Sequence, residues 1–135
     1  MESLVSKENY VSSSQAISDL ENHEMDKDFS HIWSLAKKSS DQGSRILSAD
    51  KPAATVRAEC HGNNQFHYKF PRRITMREAA RFQSFPDKFK FYAQLRETER
   101  MIGNAVPPAL AWHFAQKVER ELSKFDDIQS SMAAE

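Results

Sequence analysis

Glycine lets a backbone turn tightly around a phosphate, and this chain has only three, Gly43, Gly62 and Gly103, each far from the others. Loops of the GxGxxG or GxxxxGK(S/T) kind need closely spaced glycines so that backbone amides can approach the ligand. The spacing therefore excludes a complete nucleotide-binding βαβ unit. At 135 residues the chain suits one small domain, able to bury roughly two thirds of the surface that its unfolded form exposes. A single cysteine, Cys60, excludes internal disulfides and a cysteine zinc site. No window approaches the roughly 18 apolar residues that span a bilayer, and the start MESLVSKENY lacks the basic-then-apolar layout of a secretion signal. A soluble, cytoplasmic protein without membrane contact is expected.

The formal net charge of zero hides opposed segments. Residues 1–50 carry five basic and nine acidic side chains, residues 51–100 eleven and five, and residues 101–135 three and five. A basic middle block is the footprint that nucleic-acid binding needs. A solvated basic face with no partner has the same composition.

Local patterns predict short elements. Ala16, Ile17 and Leu20 form one short amphipathic helix, and Phe29, Ile32, Trp33 and Leu35 a second. Residues 37–50, rich in Ser, Asp and Gly, read as a surface loop. Ala54, Val56 and Ala58 alternate with Thr55, Arg57 and Glu59, the period of a strand ending near His61 and Gly62, and QFHYKF alternates again. Thr75-Met76-Arg77-Glu78 has the form of a capping box, which predicts a helix over residues 76–83 that ends before Phe85-Pro86. A loop follows through Phe89, Phe91 and Tyr92. The last helix begins at Pro107 and Pro108, carries an apolar stripe at Leu110, Phe114, Val118 and Leu122, and gives way to a frayed tail after Phe125.

Three places invite a chemical reading, and each has a structural alternative. Arg73, Arg77 and Arg81 lie four apart on one helix face, where they either meet phosphate or pair with carboxylates and fix the helix. Gly103 and Asn104 precede the proline-started helix, whose free amides favour an anionic ligand, although Asn104 also suits a simple cap. Cys60 is beside His61, but neighbours in a strand point to opposite faces, which favours an inert thiol. His23, His31, His61, His67 and His113 show no metal-ligand spacing, and no acid-base carboxylate pair stands out. Taken alone, the chain has no visible catalytic centre.

Two segments resemble one family. Residues 71–89, PRRITMREAARFQSFPDKF, resemble the ninth motif of the cytosine-5 DNA methyltransferases, and residues 101–110, MIGNAVPPAL, the tenth, in the right order and at the right separation. Pro52-Ala53-Ala54-Thr55-Val56-Arg57-Ala58, followed by Gly62, is similar to the end of the family's target-recognition region. Ala16-Ile17-Ser18-Asp19-Leu20 resembles the segment leading out of the catalytic core.

The resemblance implies a family in which a large α/β domain binds S-adenosylmethionine and transfers its methyl group. A smaller domain reads DNA around a cytosine extruded from the stack. The family's Pro-Cys nucleophile, Glu-Asn-Val, Gln-x-Arg-x-Arg and Phe-x-Gly-x-Gly motifs do not occur here. The chain is thus similar to the smaller subunit of a two-polypeptide modification methylase, with a truncated gene product or a stand-alone DNA-binding module as alternatives. The resemblance assigns no catalytic residue and no metal. It gives Asn104, Ala105 and Val106 to S-adenosylmethionine, shared with a catalytic partner subunit, and Thr55, Val56 and Arg57 to double-stranded DNA. Thr75, Arg77, Glu78, Arg81 and Gln83 become structural residues of the ninth motif. The implied layout is a lead-in over residues 1–21, recognition over 22–70, the ninth motif over 71–100, the cofactor loop and docking helix over 101–125, and a tail over 126–135. The expected fold is α+β, with the last helix docked on the partner's Rossmann-like domain.

Overall fold

A computed structural model describes residues 10–33, 45–58 and 65–132, with no account of side chains beyond residue 125. The elements in chain order are α1 (Ser13–Ile17), continued by a 3-10 turn (Ser18–Leu20), β1 (Arg45–Ile46), β2 (Gln65–Phe66), α2 (Met76–Phe82), α3 (Leu95–Asn104) and α4 (Pro108–Met132). The architecture is α+β. The chain forms two compact units, one ending at Ala105 and one beginning at Val106. No helix of the described residues is long and apolar enough to cross a membrane.

In the first unit α2 packs between α1 and α3. Leu47, Val56, Ile74, Met76, Ala79, Ala80, Phe91 and Ile102 form its core. α1 opens with a capping box between Ser12 and Gln15, and the amides of Ser13 and Ser14 donate to the carbonyls of Lys51 and Ala49 at 2.8 and 2.9 Å. Those amides are the orphans of a helix start, so they dock residues 49–51 instead of seeking water. β1 and β2 pair in parallel, Arg45 opposite Gln65 and Ile46 opposite Phe66.

α2 follows its capping box closely. Thr75 Oγ1 accepts from the Glu78 amide at 3.0 Å, and Glu78 Oε2 accepts from the Thr75 amide at 2.8 Å. Its far end is a Schellman motif: the Phe85 amide donates to Ala80 O and the Ser84 amide to Arg81 O, with Ser84 left-handed at φ 60°. This turn, rather than Pro86, ends the helix.

Several local expectations need correction. The second short helix is absent at Phe29, Ile32 and Trp33, because Asp26 and His31 close an antiparallel bridge and Asp26 Oδ1 accepts from the amides of Asp28 and Phe29. A side-chain oxygen that takes up backbone amides in this way competes with a helix. Leu35 lies outside the described residues. Part of the expected loop is strand β1, defined by its partner rather than by its own sequence. Residues 53–58 form no strand, because the side chain of Gln65 takes the place of a neighbouring strand, its Nε2 donating to Ala54 O at 3.1 Å and Thr55 O at 3.0 Å. Only Gln65 and Phe66 of QFHYKF are strand, since the His67 amide donates to Arg72 O and turns the chain back.

α3 is a helix that sequence patterning did not foresee. It buries Thr98 and Ile102 and exposes charged residues around them. Asn104 is its last residue, so Asn104 does not cap α4. The second unit is α4, which continues past Phe125 to Met132. Leu110, Phe114, Val118, Leu122 and Phe125 on it are each about half exposed or more. Phe114, Val118, Leu122 and Phe125 line an open groove together with Lys117 and Glu121.

Candidate functional site

The sequence-predicted residues fall into a buried polar cluster, two arginine clasps and a contact between two backbone segments. The cluster centres on Glu78, whose side chain is fully buried. Arg72 donates to it through both terminal nitrogens, Nη2 to Oε1 at 2.8 Å and Nη1 to Oε2 at 3.0 Å. The Arg72 guanidinium also lies over Trp33 at 4.8 Å and Phe70 at 5.5 Å. A charge pair taken out of water survives only when its remaining valences are satisfied, and here the fork, the rings and the helix-start amide do this.

Two buried imidazoles flank the pair. His67 Nδ1 accepts from the amides of Lys69 and Phe70, which puts the ring proton on Nε2, 3.7 Å from Glu78 Oε1. Thr75 Oγ1 already accepts from the Glu78 amide, so its hydroxyl proton is free for His31 Nδ1 at 3.1 Å. Burial holds both rings below the ordinary histidine value, against the pull of Glu78. A lowered folded-state value means that the unfolded chain takes up these protons first. Stability is then full above about pH 6.5 and is lost as pH falls from there through the lowered values. Urea midpoints between pH 8 and pH 5 should drop accordingly, and the drop should shrink in His67→Gln; a flat profile would contradict the burial of neutral imidazoles.

The two remaining α2 arginines do not face solvent together. Arg77 is fully buried and donates through Nε to Phe29 O at 2.8 Å, through Nη1 to Pro86 O at 3.3 Å and through Nη2 to Phe89 O at 2.8 Å. Phe29 and Phe91 cover its faces. Arg81 grips Asp87 with two hydrogen bonds of 2.9 and 2.6 Å and reaches Asp19 at 2.5 Å and Ala16 O at 3.1 Å. These bonds hold Asp19 and Asp87 below the usual carboxylate range and raise Arg81. Of the two readings of the arginine row, pairing that fixes the helix is the one Arg77 and Arg81 follow, and the basic middle block is partly internal. Lys51, Arg57, Lys69, Lys88, Lys90, Arg96 and Arg100 are the exposed cations of that block.

The last feature links two segments far apart in sequence. A Cβ on Gly103 would lie 2.4 Å from Ala58 N, 2.5 Å from Arg57 C and 2.7 Å from Ala58 Cα. Gly103 thus seats the end of α3 directly on the backbone that follows Val56. Val56 is buried in the core, while Thr55 and Arg57 are exposed, so only the latter two can face a ligand. Asn104 is exposed as well. The Ala105 amide is engaged by Ile102 O at 3.3 Å, which leaves the Asn104 carboxamide as the polar group of the turn. Val106 is exposed and belongs to the second unit. Cys60, His61 and Gly62 lie outside the described residues. Among the described residues no group of three His, Cys, Asp or Glu side chains comes together as a metal site.

Replacing Gly103 with alanine in a helix would ordinarily add about 1 kcal/mol of stability. Here it should instead cost about 1–3 kcal/mol, because backbone rather than a flexible side chain must move. Thermal denaturation of Gly103→Ala decides between the two signs.

Comparison with known proteins gives one answer. Residues 2–120 match the family model described as C-5 cytosine-specific DNA methylase. The chain is 42% identical over 80 residues to a putative type II methyltransferase, M.OihORF3336P, of Oceanobacillus iheyensis, a match covering 58% of this chain and 17% of that protein. It is 42% identical over 72 residues to the type II methyltransferase M.NgoPII of Neisseria gonorrhoeae, covering 49% of this chain and 21% of the relative. It is 34% identical over 108 residues to M.FnuDI of Fusobacterium nucleatum, covering 65% and 31%. The matches span less than a third of each of these relatives.

Proposed function

Because the chain belongs to the C-5 cytosine-specific DNA methylase family, we propose that it is the recognition part of a DNA (cytosine-5-)-methyltransferase, working with a catalytic subunit on a separate polypeptide. In this reading Thr55 and Arg57 approach duplex DNA, with Val56 anchoring their segment from the core. The turn at Asn104, Ala105 and Val106 completes an S-adenosylmethionine site that the partner shares. The naming of the relatives as type II methyltransferases supports a restriction-modification setting.

The observation that carries the reading is the Gly103 contact, by which the candidate cofactor turn and the candidate DNA segment share one piece of packed backbone. The turn also suits the amino-acid end of the cofactor. An exposed carboxamide can donate to a carboxylate and accept from an ammonium, and Asn104 offers one. When bound, S-adenosylmethionine supplies the methyl group. The sequence has no Pro-Cys motif, Cys60 being preceded by Glu59, so the attacking thiolate is assigned to the partner. The apolar stripe of α4, Leu110, Phe114, Val118 and Leu122, is the proposed docking face for the partner's Rossmann-like domain.

The purified chain, mixed with a purified methyltransferase chain that carries the Pro-Cys, Glu-Asn-Val and Phe-x-Gly-x-Gly motifs, tests this. Transfer of label from S-adenosylmethionine to carbon 5 of cytosine in duplex DNA is expected only from the mixture, and methylation by this chain alone overturns the division of labour. In the mixture, Asn104→Ala should weaken cofactor binding about tenfold, the loss of one charge-assisted hydrogen bond of about 1.4 kcal/mol, as read by titration calorimetry.

A further inference from the structure

Ile102 has its side chain in the core and its carbonyl at the last turn of α3. That carbonyl accepts twice. The Ala105 amide reaches it at 3.3 Å, closing the turn that carries Asn104, and Gln83 Nε2 reaches it at 3.2 Å from the end of α2. Gln83 is fixed in turn by the Schellman motif: its own amide is shared between Ala79 O and Ala80 O, and the chain reverses at the left-handed Ser84 behind it. On the other side, Gly103 rests against the Arg57–Ala58 backbone with no room for a Cβ. The Gly103–Ala105 turn is thereby held by a buried side chain, a backbone contact and one side-chain amide. Of the three, only the Gln83 amide lies outside the core and outside the main chain, so it alone is replaceable without repacking either.

We infer that Gln83 is a positioning residue for the cofactor turn: by capping the Ile102 carbonyl it fixes the Gly103–Ala105 backbone and so the direction in which Asn104 is presented. The inference deepens the function proposed above and rests on its assignment of Asn104 to S-adenosylmethionine. Gln83 itself touches no ligand in this scheme. Its effect is preorganisation, the removal of alternative turn conformations that binding would otherwise have to exclude.

Two variants separate this role from general packing. Gln83→Leu deletes the donor at similar size, and Gln83→Glu sets a carboxylate oxygen against the carbonyl. In the full-length chain alone, amide exchange followed by NMR should quicken about tenfold at Ala105 in Gln83→Leu and further in Gln83→Glu. The α2 amides of Ala79 and Ala80 should keep their rates. In the mixture with the catalytic chain, KM for S-adenosylmethionine should rise about tenfold with kcat unchanged, whereas a merely structural role would lower kcat through the active fraction and leave KM alone. Unchanged exchange at Ala105 in both variants overturns the inference. So does quickened exchange with an unchanged KM, provided Asn104→Ala still weakens cofactor binding. If neither the Gln83 variants nor Asn104→Ala alters cofactor affinity, the cofactor reading of the turn falls and the inference falls with it.

Discussion

Replacing Glu78 with alanine is expected to cost the first unit about 3–5 kcal/mol, the penalty for leaving a buried cation without its counter-charge. Arg72 would keep its place among Trp33, Phe70 and the backbone, with one hydrogen bond to Arg73 O at 3.0 Å in place of a two-point grip. The Thr75 amide would lose its acceptor too, so the N-terminal turn of α2 loosens together with the charge pair. A single domain has about 5–15 kcal/mol to lose in all, so the variant should sit close to unfolding at ordinary temperature. Chemical denaturation followed by circular dichroism reads the loss directly. The double variant Arg72→Leu with Glu78→Met should recover most of it, since an apolar pair of similar volume removes the uncompensated charge. If the single and double variants are equally unstable, the pair is not what the cluster depends on.

Arg77→Met should cost about 3 kcal/mol or more, by a different route. Methionine can fill the slot between Phe29 and Phe91, but it offers no donor to the carbonyls of Phe29, Pro86 and Phe89. A carbonyl left without its donor costs about 1–3 kcal/mol where water cannot take the donor's place, and this falls on Phe29 O and Phe89 O, since Pro86 O keeps the Phe89 amide at 2.9 Å. Arg77→Lys tests the cause: it keeps the charge but serves these carbonyls poorly, so it should behave nearly as badly. A lysine variant with unaltered stability would show that charge, not the planar fork, is what matters at this position. Limited proteolysis should find the 26–31 hairpin and the 86–91 loop loosened together, because Arg77 is the clasp that joins them.

How much of this was readable in advance depends on whether the cause is local. α2 was, because its capping box is a reciprocal bond between residues three apart and needs nothing from the rest of the chain. α1 was legible from Ala16, Ile17 and Leu20, though its Ser12–Gln15 box was overlooked. α3 was not, since Gln94 makes no side-chain cap and the helix buries little besides Thr98 and Ile102 among charged residues. β1 and β2 are two residues each and exist only by pairing across residues distant in sequence. Among the site residues, Asn104 was marked locally by its place before the Pro107–Pro108 helix start and given to a cofactor only by resemblance to a family, while Thr55 was marked as a site residue by that resemblance alone. Gln65 and Gln83 were equally beyond local reasoning as donors, because their acceptors, Ala54, Thr55 and Ile102, are brought near only by the fold.

The inward turn of the ninth-motif arginines also bears on how the molecule meets a polyanion. Counterions condensed on a duplex are released only by cations that reach its phosphates, and each phosphate neutralised steepens the dependence of log K on log salt by about 0.9. Arg72 and Arg77 are buried and Arg81 is committed to Asp19 and Asp87. Of the eleven basic side chains in residues 51–100, these three therefore release no counterions. A salt titration of duplex binding would count at most the seven exposed cations of this block, so its slope would fall short of the eleven basic residues by roughly four phosphates' worth, Arg73 being half-buried as well.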